Sequence, residues 1–280
     1  MNNSAQRVKD KLRNISKEKN VDFNSVMRFY MYDRFIARLS KSKYKDNFIL
    51  KGGFFLSNLF GIDNRSTMDI DTAIRKAEFN KENIIKMLEE IINIDIEDNA
   101  KFEINKTEPI REEDEYGGLR VTINFMLENI RDHFHVDIAT GDPIYPGPND
   151  YKYESLIADE VYKVWSYNLE TVLAEKIETI LSKLENSSRM KDYYDIYLIY
   201  KFKFNKINKT KLRKAVEKTF KKREFDADLN ANLSIIKDSK VLQDKWNSYS
   251  RKNSYARNIE FDETIKCLEE FIEIIVPVTM

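Results

Sequence analysis

Residues 50–74 read Leu50-Lys51-Gly52-Gly53-Phe54-Phe55-Leu56-Ser57-Asn58-Leu59-Phe60-Gly61-Ile62-Asp63-Asn64-Arg65-Ser66-Thr67-Met68-Asp69-Ile70-Asp71-Thr72-Ala73-Ile74. Two of the chain's seven glycines stand side by side here, directly after a lysine. A Gly-Gly turn lets backbone N–H groups approach phosphate oxygens closely. The apolar triplet Phe48, Ile49 and Leu50 predicts a short strand entering the turn. The continuous apolar run Phe54 to Phe60 predicts a buried helix opening at it, with an anion-binding N-terminus. Gly61 ends that helix, and residues 63–66 form a loop. Thr67 to Ile74 predicts a second strand, in which Asp69 and Asp71, two residues apart, share one face. The stretch reads as a phosphate cradle beside a carboxylate metal clamp.

Around this stretch the composition excludes several classes of protein. A chain of 280 residues suits one large domain or two modest ones. Lys plus Arg and Asp plus Glu both number 47, so global charge selects no partner. The single cysteine, Cys267, rules out an intramolecular disulfide and fits a reducing compartment. Its helical setting marks it as a small buried hydrophobe rather than a catalytic thiol. No apolar run has membrane-spanning length and no signal-peptide pattern opens the chain, so a soluble cytoplasmic protein without a membrane partner is expected. No Ser-His-Asp or Cys-His constellation and no Walker loop is recognisable, which argues against a triad hydrolase or a P-loop enzyme.

Charge is uneven along the chain. Acids predominate from Glu89 to Glu115, with a cluster at Glu112, Glu113, Asp114 and Glu115. Lys201 to Arg223 holds eleven Lys or Arg residues and one acid, Glu217. This basic stretch reads either as a nucleic-acid contact surface or as a solvated helix face with a lysine-rich loop.

Before the opening stretch, the first twenty residues predict a loosely docked polar helix. Asp22 or Asn24 caps a second helix through Val26, Phe29, Tyr30, Phe35, Ile36 and Leu39. After the opening stretch, Lys81 to Ile92 predicts an amphipathic helix, and Phe102 with Ile104 a strand. Leu119 to Leu127 and residues 133–139 alternate strictly and predict an antiparallel pair. Asp137 falls on the face opposite Phe134, Val136 and Ile138, where packing asks for no acid. Gly141 to Asp150, with Pro143, Pro146 and Pro148, reads as a rigid connection and domain boundary. The division expected is 1–160 and 161–280, the second part helical. Leu169 to Leu184 carries Lys176 at the edge of its apolar stripe. A further helix from Arg189, capped by Ser187 or Ser188, carries Asp192, and three more helical segments follow: Asn232 to Ile236, Lys240 to Ser250 and Asp262 to Val276.

Nucleotidyl transfer requires a metal on the triphosphate, activation of the incoming hydroxyl and cations for the leaving pyrophosphate. Asp69 and Asp71 match the one or two carboxylates that Mg²⁺ takes from protein, and Asp137 would complete a two-metal arrangement. Lys51, Arg65 and Lys176 are candidates for triphosphate contacts. From the residues alone, Lys176 and Asp192 also read as a buried helix–helix ion pair without catalytic role. His133 and His135 share a strand face and, lacking a third ligand, read as structural.

Four motifs in order carry a family resemblance: Lys51-Gly52-Gly53; Arg65-Ser66-Thr67-Met68-Asp69-Ile70-Asp71; Lys176 within Leu173 to Thr179; and Arg189-Met190-Lys191-Asp192-Tyr193-Tyr194-Asp195. The chain resembles the AbiEii/AbiGii toxins, nucleotidyltransferase-like proteins of bacterial toxin–antitoxin and abortive-infection phage-defence systems, from about residue 25 to about residue 200. The resemblance implies an α+β fold: a DNA-polymerase-β-like nucleotidyltransferase core with a mixed sheet and flanking helices, then an α-helical C-terminal domain. It implies Mg²⁺ or Mn²⁺ and a nucleoside triphosphate (GTP among them), with Asp69, Asp71, Lys176 and Asp192 catalytic. Lys51, Gly52, Gly53, Arg65, Thr67, Lys176 and Arg189 would contact the nucleotide in a cleft between the two domains. It implies RNA, most of all the tRNA 3′ end, as acceptor, and a separately encoded antitoxin that need not touch the toxin. Transfer to a small molecule or a protein hydroxyl, and a non-catalytic NTP-binding module, are the alternative expectations.

Overall fold

A computed structural model describes residues 5–110, 117–158 and 160–276. The acidic cluster at residues 112–115 lies outside them. The chain forms two compact units, one made of the residues up to Gly141 with Pro148–Tyr167, the other of Asp142–Gly147 with the residues from Asn168 onward. The first unit thus extends past the expected boundary at residue 160, because the strand Val161–Ser166 belongs to its sheet. The proline segment divides too, with Asp142–Gly147 joining the helical unit.

In the first unit, helices α1 (Ala5–Lys19) and α2 (Phe23–Lys41) precede strand β1 (Phe48–Leu50) and helix α3 (Gly52–Phe60). Strand β2 (Asp69–Ile74), helix α4 (Lys81–Ile92) and strands β3 (Lys101–Ile110), β4 (Gly118–Leu127) and β5 (Ile130–Ala139) follow. Two more strands, β6 (Asn149–Glu154) and β7 (Val161–Ser166), complete one mixed seven-stranded sheet in the order β3-β4-β5-β2-β1-β7-β6. β2 lies parallel to β5 and antiparallel to β1, which itself runs parallel to β7.

Helix α2 is nearly all buried because its apolar residues run right around it. Asp22 starts it, its side chain accepting from Ser25 N. Its Tyr32 ring packs edge-on against Phe54 and Phe134 at 5.4 and 5.6 Å between centroids, joining α2 to α3 and β5. Burying each such aromatic contributes about 1.5–3 kcal/mol. Of the three buried charged side chains on α2, Asp33 and Arg38 are tied to partners on other elements. Asp33 accepts from Tyr153 Oη, Ser155 Oγ and Leu156 N. Arg38 forks onto Asp98 at 2.8 and 2.9 Å and donates to the Ala100 carbonyl. These bonds attach α2 to the β6 end and to the loop before β3.

The second unit is helical: α5 (Leu169–Lys183), α6 (Met190–Lys203), α7 (Lys209–Lys222), α8 (Leu229–Asp238), α9 (Lys240–Lys252) and α10 (Phe261–Ile275). Neither Ser187 nor Ser188 is the N-cap of α6. Arg189 holds that position without a side-chain cap, while Ser187 Oγ accepts from Arg189 N at 3.2 Å. The basic stretch is mostly α7, which buries Leu212, Ala215, Val216 and Thr219 and exposes Lys209, Lys211, Lys214, Lys218 and Lys221.

Candidate active site

The sheet register assembles the first cluster. Across β4, β5 and β2, Arg120 stands opposite Asp137 and Asp137 beside Asp71, forming one row. The next row is Thr122, His135 and Asp69. Period-two alternation puts all six on the face away from Ile70, Val136 and Ile138, which are fully buried. His135 is committed within its row, its Nδ1 3.0 Å from Thr122 Oγ1.

The glycine turn closes onto this face. Gly52 takes φ +57°, a left-handed conformation that glycine adopts without strain. A Cβ there would lie 2.6 Å from Asp71 Oδ2. Gly53 N donates to that same Oδ2 at 3.0 Å, and Lys51 N donates to the Asp71 backbone carbonyl at 3.0 Å. Asp71 therefore receives an amide from the first turn of α3, where the helix dipole favours negative charge. The cradle and the clamp expected from sequence are in direct contact. Replacing Gly52 with alanine is expected to cost about 1–3 kcal/mol from the left-handed backbone alone. It should also displace Asp71, so a thermal melt and a metal titration of Gly52→Ala should both shift.

Arg65 and Thr67 lie beneath the turn. Arg65 is buried and bonds to the Ser66 carbonyl, with its Nη2 2.9 Å from where a Gly53 Cβ would stand. Thr67 Oγ1 is 3.1 Å from the same point. Any side chain at Gly53 would press on both, so its missing Cβ makes room for this brace. Lys51, at the mouth of the turn, places its ammonium 4.9 Å from the centre of the Tyr167 ring.

Arg120, not singled out from the sequence, dominates the electrostatics. Its Nε and Nη2 meet the two Asp137 oxygens at 2.7 Å each, and Nη2 lies 3.6 Å from Asp69 Oδ2. The hydrogen bonds to Asp137 raise the guanidinium pKa above its ordinary value. Burial raises the Asp69 pKa above its ordinary 3.8; Arg120 counters this, while Asp137 and Asp71 add to it. The signal for Arg120 was available only through pairing, because it is one polar residue on an alternating strand until β5 sets Asp137 opposite.

The donor chemistry suits magnesium. Mg²⁺ takes hard oxygen ligands, usually one or two carboxylates, and keeps several waters. Asp69 and Asp71 supply that pair on one strand face. Asp137, expected as a third ligand, has both oxygens on Arg120. Among the described residues no three His, Cys, Asp or Glu side chains are grouped to hold a metal ion.

Lys176, Asp192 and Arg189 come together in the helical unit. Lys176 Nζ on α5 lies 2.7 Å from Asp192 Oδ1 and 2.6 Å from Asp195 Oδ2 on α6. Arg189 Nε is 2.8 Å from Asp192 Oδ2. All but Arg189 are buried, at 9% or less of side-chain exposure. Burial opposes the Lys176 charge, and the two carboxylates more than offset it, leaving its pKa raised. Burial likewise opposes the Asp192 charge, but Lys176 and Arg189 overcome it and lower its pKa. Asp195 was not among the expected site residues. Its spacing of three from Asp192 on one helix face was the available signal.

A mixed sheet carrying an acidic pair on a central strand, beside a Gly-Gly turn that opens a helix, defines the nucleotidyltransferase class of fold. Solved structures share it. JHP933 from Helicobacter pylori aligns with a TM-score of 0.54 at 14% identity, covering 90% of this chain and 91% of that one. A candidate nucleotidyltransferase from H. pylori aligns with a TM-score of 0.50 at 14% identity, covering 91% of this chain and 96% of the other. At this identity the likeness is one of fold. No curated protein sequence matches the chain. The chain belongs to the AbiEii family, nucleotidyl transferase toxins of type IV toxin–antitoxin systems, whose model matches residues 34–267. Membership implies a nucleotide substrate and a separate antitoxin. No helix among the described residues is long and apolar enough to cross a membrane.

Proposed function

We propose that this toxin transfers a nucleotide from a nucleoside triphosphate to RNA, at the tRNA 3′ end, in a Mg²⁺- or Mn²⁺-dependent reaction that blocks translation during phage defence. The observation that carries this reading is the Asp69–Asp71 pair on one face of β2, with Asp71 held by the Gly53 amide at 3.0 Å. A divalent metal on these carboxylates would neutralise triphosphate charge and polarise the α-phosphoryl group. The acceptor hydroxyl oxygen bonds to the α-phosphorus, the bond to the bridging β-phosphate oxygen breaks, pyrophosphate leaves with the electron pair, and the hydroxyl proton passes to solvent.

The chain's own residues position these groups. Gly52 and Gly53 allow close approach to phosphate, and the Gly53 amide fixes the Asp71 carboxylate. Lys51 and Thr67 contribute phosphate contacts beside the turn, and Arg65 supports the turn from beneath. Lys176, Arg189 and Asp192 are proposed to act on the nucleotide as the family resemblance implies. The exposed lysine face of α7 suits an RNA backbone. Arg223, at the end of the basic stretch, is committed within the unit to Glu178, Asp142 and Glu175.

The test is incubation of the full chain with each labelled NTP and total tRNA. Label on tRNA is the expected result. NTP binding without label on any RNA would replace this reading with the non-catalytic module. Label on protein or a small molecule instead would move the acceptor class. Changing Lys211, Lys214 and Lys218 together to glutamine should weaken RNA binding by lowering the slope of log affinity against log salt by about 0.7–0.9 per lost phosphate contact. An unchanged slope would remove α7 from the RNA surface.

A further inference from the structure

The arginine facing the acids has a role that the metal reading alone leaves out. Building on that reading, we infer that Arg120 is a resident counter-cation occupying the position of one metal ion, so that the site binds a single divalent cation through Asp69 and Asp71. Asp137 is then a positioning residue for Arg120 and not a metal ligand.

Three observations carry this. First, the register sets Arg120, Asp137 and Asp71 side by side on adjacent strands, so the guanidinium is delivered to the carboxylates by backbone pairing. Second, Arg120 meets both Asp137 oxygens at 2.7 Å in the two-pronged geometry that matches a guanidinium to a carboxylate. The same Nη2 turns to Asp69 Oδ2 at 3.6 Å, so one charge bridges two acids as a shared metal would. Third, the described residues offer no trio of ligating side chains, although three aspartates occupy neighbouring positions. The guanidinium stays charged at every working pH. With Asp69, Asp71 and Asp137 ionised, Arg120 leaves two negative charges, which one divalent ion balances and two would exceed.

The plain alternative is an ordinary cross-strand ion pair with no bearing on the metal. A titration of the full-length protein with Mn²⁺ alone, read by electron paramagnetic resonance, separates the two. The wild type should bind one Mn²⁺ per chain with the spectrum of an isolated ion. Arg120→Gln should bind two, with the line broadening of spin-coupled ions at the spacing of about 3.5–4 Å found in two-metal sites. Asp137→Asn, which leaves Arg120 in place, should still bind one ion, and it carries the test if Arg120→Gln does not fold. Asp71→Asn should weaken that ion's binding by at least about 10-fold, as loss of a ligand exceeds the effect of an outer-shell change.

Two coupled ions in the wild type, or loss of the ion in Asp137→Asn, would overturn the role of Arg120 and leave the metal reading standing. A single ion in both wild type and Arg120→Gln would overturn it as well. Equal Mn²⁺ binding by wild type, Asp69→Asn and Asp71→Asn would remove the metal reading itself, and this inference with it.

Discussion

Replacing Asp69 with alanine is expected to lower nucleotide transfer by about 10³-fold and to abolish toxicity in cells. The size follows from losing several kcal/mol of charge stabilisation at the α-phosphorus, about 4 kcal/mol on the usual scale of metal catalysis. Among the described residues no backbone amide bonds to the Asp69 carboxylate as Gly53 N does to Asp71, and the Asp69 side chain is 28% exposed. The Asp69→Ala protein should therefore keep the wild-type melting temperature. Asp71→Ala should lose as much activity and some stability too, since the Gly53 amide loses its partner at 3.0 Å. An unfilled buried donor costs about 1–3 kcal/mol. Transfer of labelled nucleotide and growth on induction measure the first effect, thermal unfolding the second. Toxicity retained by Asp69→Ala would take the carboxylate clamp out of the mechanism.

Changing Lys176 to methionine should destabilise the helical unit by about 3–5 kcal/mol. The substitution keeps volume and removes the cation between Asp192 and Asp195, whose side chains are 1% and 0% exposed. Both buried carboxylates then lose the ammonium that lies 2.7 Å from Asp192 and 2.6 Å from Asp195. Urea unfolding of wild type and Lys176→Met measures the loss. Adding Asp195→Asn to Lys176→Met should recover part of the stability, because one of the two buried carboxylate charges that lost the ammonium is then gone. If activity stays lost in this stabilised double variant, Lys176 acts on the nucleotide; if activity returns, its role is the buried ion network.

The same network sets a pH window. The Asp192 pKa is lowered in the folded state from its ordinary 3.8, so its contribution is present above that value and lost as pH falls below it. The Lys176 pKa is raised from its ordinary 10.5, so its contribution holds below that value and is lost as pH climbs through the raised one. Wild-type stability should fall at both ends, and Lys176→Met should flatten the alkaline limb.

Strong periodicity was legible where one face of an element is buried and the other wet. Lys81–Ile92, the β4 and β5 alternation and the α5 stripe all appear near their expected positions. β6 and β7 follow directly on the proline connection and were not expected as strands, although Val161, Tyr162, Val164 and Trp165 are residues that favour strands. They are strands because β1 offers β7 a parallel partner at Ile49 and Leu50, and β7 in turn pairs β6. The helix α7 was legible only within one of two readings of the basic stretch, its four buried positions diluted by lysines.

The chain by itself determined that Asp69 and Asp71 share a face and that a glycine turn opens a helix before them. Both are local consequences: alternation is built into a strand, and a glycine adopts the left-handed φ of +57° at Gly52 without strain. It also determined the family, through motifs whose order along the chain suffices. Only the tertiary structure decided what those acids meet. Arg120 is 51 residues from Asp69 in sequence, and parallel pairing of β2 with β5 and antiparallel pairing of β5 with β4 bring them within 3.6 Å. Lys176 likewise acquires its second carboxylate, Asp195, from the packing of α6 on α5. Charges act through space, and strand register and helix packing, which no local pattern encodes, decide which of them become neighbours.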